Sequence, residues 1–294
     1  MRPEARVAAA IEILDSVLGG ASAEQRLTTW ARGNRYAGSS DRAAIRDIVF
    51  DALRRRRSYA WLGAGETGRA LMIGALRAAN RDPSETFTGA RHAPSDLMDA
   101  ERHTDASLRD APAAVRHDFP DWLWPEFVRA WGEESEQIAG CLRDRAPVFL
   151  RTNRAKTTPE RAAAMLRSEE IDTRPHPLAP TALEVVANAR RVRSTRAFAE
   201  GHVELQDAAS QALVLACLEN VGAAGSVLDY CAGGGGKALT FAAEGVPQVV
   251  AHDADPRRMS DIPARPEQGA SQSTRSNVPC GCSTRSIGVP ARSA

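Results

Sequence analysis

The sequence predicts a multidomain protein: an all-α N-terminal domain, a small α+β domain, an incomplete α/β domain and a disordered C-terminal tail. Three observations lead to this fold class. Apolar residues recur at helical spacing over residues 1–135, and strand-like and helix-like segments alternate over 140–204. Within 205–259 an apolar strand runs directly into a glycine-rich turn. Residues 260–294 carry none of these patterns.

The N-terminal domain is predicted to be helical because its apolar residues repeat every three or four positions. Val7, Ile11 and Leu14 share one face of a first helix, which Gly19-Gly20 ends. A second helix begins at Ser40-Asp41 and carries the apolar residues Ile45, Ile48, Val49, Ala52 and Leu53. Further helices are expected around 66–80, 95–101 and 120–131.

Basic residues in two places are candidates for contact with nucleic-acid phosphates. Arg54–Arg57 follow the second helix, and a solvated helix face explains this run as well, because four successive helical residues point in four directions. Arg151, Asn153 and Lys156 alternate along an extended segment of the α+β domain. Such alternation predicts that these three side chains share one face.

The glycine-rich turn is the most specific feature of the chain. Ser226–Asp229 form a short apolar strand, the turn follows, and a helix begins where the glycines end. Glycines allow positive φ and close approach of a ligand, and the helix N-terminus offers N–H groups. A second strand, Gln248–His252, is followed at once by Asp253, which is favoured over Asp255 as a ligand for ribose hydroxyls. The spacing predicts a nucleoside-containing cofactor.

Composition limits the remaining possibilities. The chain has 38 basic and 37 acidic residues, so any surface for nucleic acid must be local. The sequence contains no run of 18 apolar residues, so it predicts no membrane span. Five scattered cysteines indicate a reducing compartment, and we expect a cytoplasmic protein. Cys280 and Cys282 lack a partner pair at zinc spacing, so no metal site is predicted.

The C-terminal residues are predicted to be disordered. Residues 256–294 contain no Leu, Phe, Tyr or Trp, and their Ser, Arg, Pro and Gly residues follow no period. This composition is typical of GC-rich codons translated out of frame, and we interpret residues beyond about 259 as the result of a frameshift.

Five segments together resemble the Sun/Fmu-type ribosomal-RNA cytosine-5 methyltransferases. Ser40–Ala44 and Leu53–Arg57 resemble their opening helical domain, which is similar to the antiterminator NusB. Leu150–Thr157 resembles their "LRVNTLKT" segment, and Gly201–Ser210 resembles "GxxxxQDxSS". Leu228–Lys237 resembles "LDxCAAPGGK", the loop that binds S-adenosylmethionine, with Gly233 and Gly234 in place of Ala-Pro. The resemblance covers residues 1 to about 259.

The resemblance implies a fold, a cofactor and a substrate. It implies a NusB-like RNA-binding domain (1–135), an RNA-positioning α+β domain (140–204) and part of a Rossmann-like methyltransferase domain (205–259). S-adenosylmethionine is the implied cofactor and small-subunit ribosomal RNA the implied partner, for a monomeric enzyme. The implied cofactor-binding residues are Cys231, Ala232, Gly233, Gly234, Gly235, Gly236, Lys237 and Asp253. The implied RNA-binding residues are Arg54, Arg57, Arg151, Asn153 and Lys156.

The same resemblance implies that catalysis is impaired. Family members add a cysteine thiolate to carbon 6 of cytosine, using "DAPCSG"-like and "TCS"-like segments that this sequence lacks. Val278–Gly281 echoes the first segment without its acid, and Cys231 fits the cofactor turn better than the role of nucleophile. No catalytic residue is therefore assigned. Two alternatives remain: a catalytically inactive RNA-binding fragment, and a NusB-like adaptor acting through residues 1–135.

Overall fold

The structure is a computed structural model that describes residues 1–103, 106–221, 225–260, 262, 272–273 and 284–288. The chain divides into two compact units, Met1–Ala146 and Pro147–Ala294. No helix in the described ranges is long and apolar enough to cross a bilayer.

The regular secondary structure described in the first unit is helical, as the sequence predicts. Its helices are α1 (Pro3–Leu18), α2 (Ala23–Gly33), α3 (Ser39–Arg54), α4 (Arg56–Gly63), α5 (Gly68–Ala78), α6 (Asp99–Arg102), α7 (Ala113–Arg116), α8 (Trp124–Trp131) and α9 (Ser135–Arg143). Local sequence explains several ends. Pro3 occupies the first turn of α1, where no N–H bond is lost, and Thr67 caps α5 by accepting from Ala70 N.

The core of the first unit lies where α1, α3 and α5 pack together. Ile13, Leu14, Ile45, Val49 and Leu71 are fully buried there. The predicted apolar faces of α1 and α3 are therefore confirmed, and the packing of these aliphatic side chains supplies the main hydrophobic stabilisation of the unit.

Helices α4 and α5 cross at two glycines. A β-carbon on Gly63 would stand 1.9 Å from the carbonyl oxygen of Ala70, and one on Gly74 would stand 1.9 Å from that of Tyr59. The absence of both β-carbons lets the two backbones touch. Glycine is required at these positions for packing and not for an unusual backbone angle.

The second unit begins with an antiparallel sheet. Its elements are β1 (Val148–Thr152), α10 (Pro159–Ser168), β2 (Thr173–Pro175), β3 (Ala182–Val185), α11 (Arg196–Ala199) and β4 (Val203–Leu205), and the strand order is β2-β3-β1-β4. Leu150 on the central strand β1 lies opposite Leu183 and Leu205. The predicted strands near 148–153 and 183–186 are confirmed. Strands β2 and β4 were not predicted, because three residues are too few to show a period.

A parallel strand–helix–strand unit follows. Helix α12 (Ala208–Val221) leads to β5 (Val227–Asp229), α13 (Gly236–Ala243) and β6 (Gln248–His252). Strands β5 and β6 pair in parallel, with Leu228 opposite Val250. Parallel pairing places the ends of both strands at the same edge of the sheet, next to the N-terminus of α13. This is the arrangement that the glycine turn and its spacing predict.

The described residues beyond Asp255 include structure that the sequence does not predict. Two short strands, β7 (Gln272–Ser273) and β8 (Thr284–Gly288), complete a sheet of order β5-β6-β8-β7, in which β8 pairs antiparallel with β6. Backbone pairing explains this difference, because it satisfies N–H and C=O groups without apolar side chains. The expectation of disorder for 260–294 otherwise falls outside the described residues, as do Cys280 and Cys282.

Candidate cofactor site and predicted RNA-contact residues

The glycine turn between β5 and α13 has a backbone that only glycine adopts readily. Gly233 has φ +52° and Gly235 has φ +82°. Gly235 N donates to Ala232 O at 2.8 Å, and Ala232 N donates to His252 O at 2.8 Å, which ties the turn to the end of β6. The turn is therefore held from within and by the neighbouring strand.

Asp253 connects the end of β6 to this turn. Its carboxylate accepts from Gly233 N at 2.9 Å and from Asp255 N at 2.9 Å, and it lies 3.3 Å from Arg258 Nη1. The N–H of Asp255 lowers the pKa of Asp253, and Gly233 N and Arg258 act in the same direction. Arg258, which sequence reasoning missed, also lies beside Gly233, with its Nη2 3.2 Å from a β-carbon placed there.

Asp229 and Lys237 flank the turn on its other side. Asp229 accepts from Ala238 N at 3.0 Å, which satisfies one donor in the first turn of α13. Burial raises the pKa of Asp229, and the bond from Ala238 N offsets this only in part. Lys237 is exposed.

The turn retains donors that a ligand can use. The N–H groups of Gly234, Gly236 and Lys237 donate to nothing within the described part of the chain. Together with the N-terminal end of α13 they form a site for a polar or anionic group, and the adjacent Asp253 carboxylate suits hydroxyl donors. These residues fit a nucleoside that carries a charged amino-acid group.

The described cysteines form no catalytic or metal-binding cluster. Cys141, Cys217 and Cys231 are exposed and free, and no group of three potential metal ligands occurs within the ranges that the structure describes. Cys231 lies in the glycine turn, and its neighbours contribute backbone groups there.

Two of the three residues expected to face RNA from the α+β domain are buried. Arg151 is 1% exposed and lies directly opposite Glu204, which is 6% exposed, and Asn153 is fully buried. Asn153 accepts from Ala155 N at 3.1 Å and donates to Gly201 O at 3.1 Å. The expectation of a shared RNA-facing surface is corrected here, because these two side chains hold the sheet and its following turn together. Lys156 is exposed, and its Nζ donates to Glu200 O at 2.9 Å.

The arginine run is engaged in ion pairs within the first unit. Arg54 lies 3.4 Å from Asp51, and its Nε donates to Arg143 O at 3.2 Å. Arg57 donates to Asp121 at 2.8 Å and to Phe119 O. Arg55 and Arg56 pair with Asp144 and Glu66. Each positive charge in the run thus has an acidic partner, which weakens its field toward a phosphate.

One family model and several relatives match the chain. The family model "Methyltr_RsmF/B-like, ferredoxin-like domain" matches residues 119–192. A "Ribosomal RNA small subunit methyltransferase B" from Klebsiella pneumoniae is 33% identical over 50% of this chain and 34% of its own length. A protein of the same name from Xanthomonas campestris is 30% identical over 86% of this chain and 62% of its own length. The chain therefore spans less than two thirds of either relative.

One solved structure has a similar fold. The crystal structure of a protein called PH0851 matches with a TM-score of 0.62 at 16% identity, over 90% of this chain and 66% of that protein. Such identity shows likeness of fold only. Residues 119–192 match the RsmF/B-like methyltransferase family model, and the chain is similar to proteins named ribosomal RNA small subunit methyltransferase B.

Proposed function

We propose that this chain binds S-adenosylmethionine at the glycine turn and belongs functionally to the enzymes that methylate carbon 5 of cytosine in small-subunit ribosomal RNA. The observation that carries the proposal is the joined unit of turn and acid, in which Gly233 N donates to the Asp253 carboxylate beside unused N–H groups. The names of the relatives support RNA as the substrate class.

Each site residue has a defined part in this proposal. The backbone of Cys231–Gly236 surrounds the donor, the N–H groups of Gly236 and Lys237 bind its carboxylate, and Asp253 accepts from its ribose hydroxyls. Gly233 and Gly235 allow the positive-φ backbone of the turn, which a side chain at either position would strain. When bound, S-adenosylmethionine supplies a methyl group on a sulfonium centre. Lys156 is the exposed candidate for RNA contact, whereas Arg54 and Arg57 would have to exchange their acidic partners for phosphates.

The three predicted domains have separate roles in this function. We assign RNA binding to the NusB-like helices of residues 1–135, RNA positioning to residues 140–204, and cofactor binding to residues 205–259 of a cytoplasmic monomer. Transfer is expected to be impaired, because the described cysteines include none on a strand that follows β6. A thiolate is needed to add to carbon 6 before the ring can attack the methyl group.

This last observation also favours a second candidate, an RNA-binding protein without catalytic activity. Transfer of labelled methyl from S-adenosylmethionine to ribosomal RNA by the purified chain separates the two. Activity above a no-protein background removes the inactive candidate. Absence of transfer together with salt-sensitive RNA binding removes the enzyme. Equal RNA affinity of residues 1–135 alone would instead favour a NusB-like adaptor.

Calorimetric titration with S-adenosylmethionine tests the cofactor site itself. We expect saturable binding that ATP does not compete for, because Ala238 follows Lys237 where a phosphate-binding loop needs Ser or Thr. Binding of ATP with no heat from S-adenosylmethionine would contradict the proposed cofactor.

A further inference from the structure

Gln206 lies between the antiparallel sheet and the cofactor unit, with its backbone fixed on both sides. It follows β4 and precedes α12. Its N–H donates to Phe149 O on β1 at 3.2 Å, and its carbonyl oxygen accepts from Gln211 Nε2 at 3.0 Å. These two hydrogen bonds therefore fix the backbone position from which the Gln206 side chain extends.

That side chain reaches the first turn of α13. Gln206 Oε1 accepts from Thr240 Oγ1 at 3.0 Å, and Thr240 Oγ1 also lies 2.8 Å from the carbonyl oxygen of Gly236. Thr240 is fully buried, so water does not compete for these bonds. The Thr240 hydroxyl carries a single hydrogen, so Gln206 Oε1 and Gly236 O share it in one three-centre hydrogen bond, which joins the segment before α12 to the glycine that begins α13.

The other end of the amide faces the glycine turn. Gln206 Nε2 is a buried atom with no hydrogen-bond partner within the described residues. It lies 3.7 Å from the position that a β-carbon would take on Gly236. A buried amide with one unmet donor is less favourable for stability than an apolar side chain of the same shape. The shared hydrogen bond between Thr240, Gln206 and Gly236 is thus a feature that stability alone does not explain.

We propose that Gln206 is a positioning residue that, through Thr240, sets the direction of the Gly236 and Lys237 N–H groups for the methyl donor. The inference rests on the proposed cofactor site. The orientation of these N–H groups follows from how α13 begins, and the Gly236 carbonyl is the group that Thr240 holds. Small displacements of binding groups cost much affinity, because hydrogen bonds weaken steeply with misalignment.

The test uses the full-length chain and three substitutions of nearly equal volume. Gln206→Met removes the amide, Thr240→Val removes the hydroxyl, and Gln248→Met removes an exposed amide from the opposite end of β6 as a control. Affinity for S-adenosylmethionine is measured by calorimetry, and amide exchange is measured for Leu239 and Thr240.

We expect Gln206→Met and Thr240→Val each to weaken binding roughly fivefold to fiftyfold, and the double variant to be no weaker than the poorer single variant, because both change one shared hydrogen bond. Amide exchange should accelerate in the first turn of α13 and not in β1. Gln248→Met should match the wild type. A residue that only stabilises the fold would lower the melting temperature without this loss of affinity or this coupling.

The outcomes separate the inference from the function on which it rests. If the wild type does not bind S-adenosylmethionine, the proposed cofactor site fails and the inference falls with it. If the wild type binds and Gln206→Met binds equally well, the positioning role is overturned and the cofactor site stands. Additive losses in the double variant would also overturn it, because they would mean that Gln206 and Thr240 act separately.

Discussion

The crossing of α4 and α5 gives the sharpest prediction for stability. A β-carbon added at Gly74 would stand 1.9 Å from Tyr59 O, where real β-carbons keep at least 3.0 Å. The obstacle is backbone and not the end of a flexible side chain, so the helices must separate by about 1 Å at this point. We expect Gly74→Ala to destabilise the first unit by roughly 1–2 kcal/mol, since overpacking costs about 1–3 kcal/mol and helix propensity returns up to about 1 kcal/mol.

Gly140→Ala is the matched control. Gly140 lies inside α9, and nothing stands within 4 Å of its added β-carbon. At Gly140 the substitution has no steric cost, and the higher helix propensity of alanine should make this variant more stable than the wild type by about 0.5–1 kcal/mol. The two substitutions are chemically identical and are expected to have effects of opposite sign.

Tryptophan fluorescence during urea unfolding measures both effects. All five tryptophans (Trp30, Trp61, Trp122, Trp124 and Trp131) belong to the first unit, so the signal reports on that unit alone. A midpoint for Gly74→Ala at or above that of the wild type, with Gly140→Ala behaving as expected, would refute the close-crossing argument.

Three further predictions concern charge. The pKa of Glu101 is lowered by Arg69, whose Nε and Nη2 donate to it at 2.8 and 2.7 Å, so Glu101→Gln should lose about 1 kcal/mol at pH 7. Because a lowered carboxyl pKa stabilises only above the unfolded value, the difference in urea midpoint should shrink as the pH falls below about 4.3, and a constant difference would exclude the ion pair as its cause. Asp253→Asn leaves one acceptor for two N–H donors and should weaken S-adenosylmethionine about tenfold in calorimetry, with Asp255→Asn less affected; equal losses would argue against Asp253 as the ribose ligand. Lys156→Gln should reduce the salt slope of RNA binding by about 0.7–1, whereas Arg57→Gln should leave it unchanged; the reverse order would place RNA on the arginine run.

The helices of the first unit could be predicted because their apolar residues recur at helical spacing over several turns. Ile45 and Val49 lie one turn apart on α3, and both are buried as that spacing requires. The α4–α5 crossing could not be predicted, because nothing in the sequence distinguishes Gly63 and Gly74 from Gly140, where an added β-carbon meets nothing within 4 Å. Only the positions of Tyr59 and Ala70 in space reveal the difference.

The geometry of the glycine turn was predictable because its sequence signals are local. Strand, glycines, helix and Asp253 follow one another within 28 residues, from 226 to 253, and parallel pairing alone brings them together. The burial of Arg151 was not predictable. The residue opposite it, Glu204, is distant in sequence, and the two meet only through the register of β1 with β4. Arg258 and Gln206 were missed for the same reason, since their partners are set by folding and not by spacing.

The stacking of Tyr230 on His252, with ring centroids 4.6 Å apart, provides a spectroscopic probe of the cofactor turn. The chain has three tyrosines, and Tyr36 and Tyr59 both belong to the first unit. Tyr230 is two-thirds exposed and directly precedes Cys231. Incorporation of 3-fluorotyrosine would therefore give a fluorine NMR spectrum in which one resonance, that of Tyr230, reports on ligand binding at the glycine turn. The other two resonances come from Tyr36 and Tyr59 in the first unit.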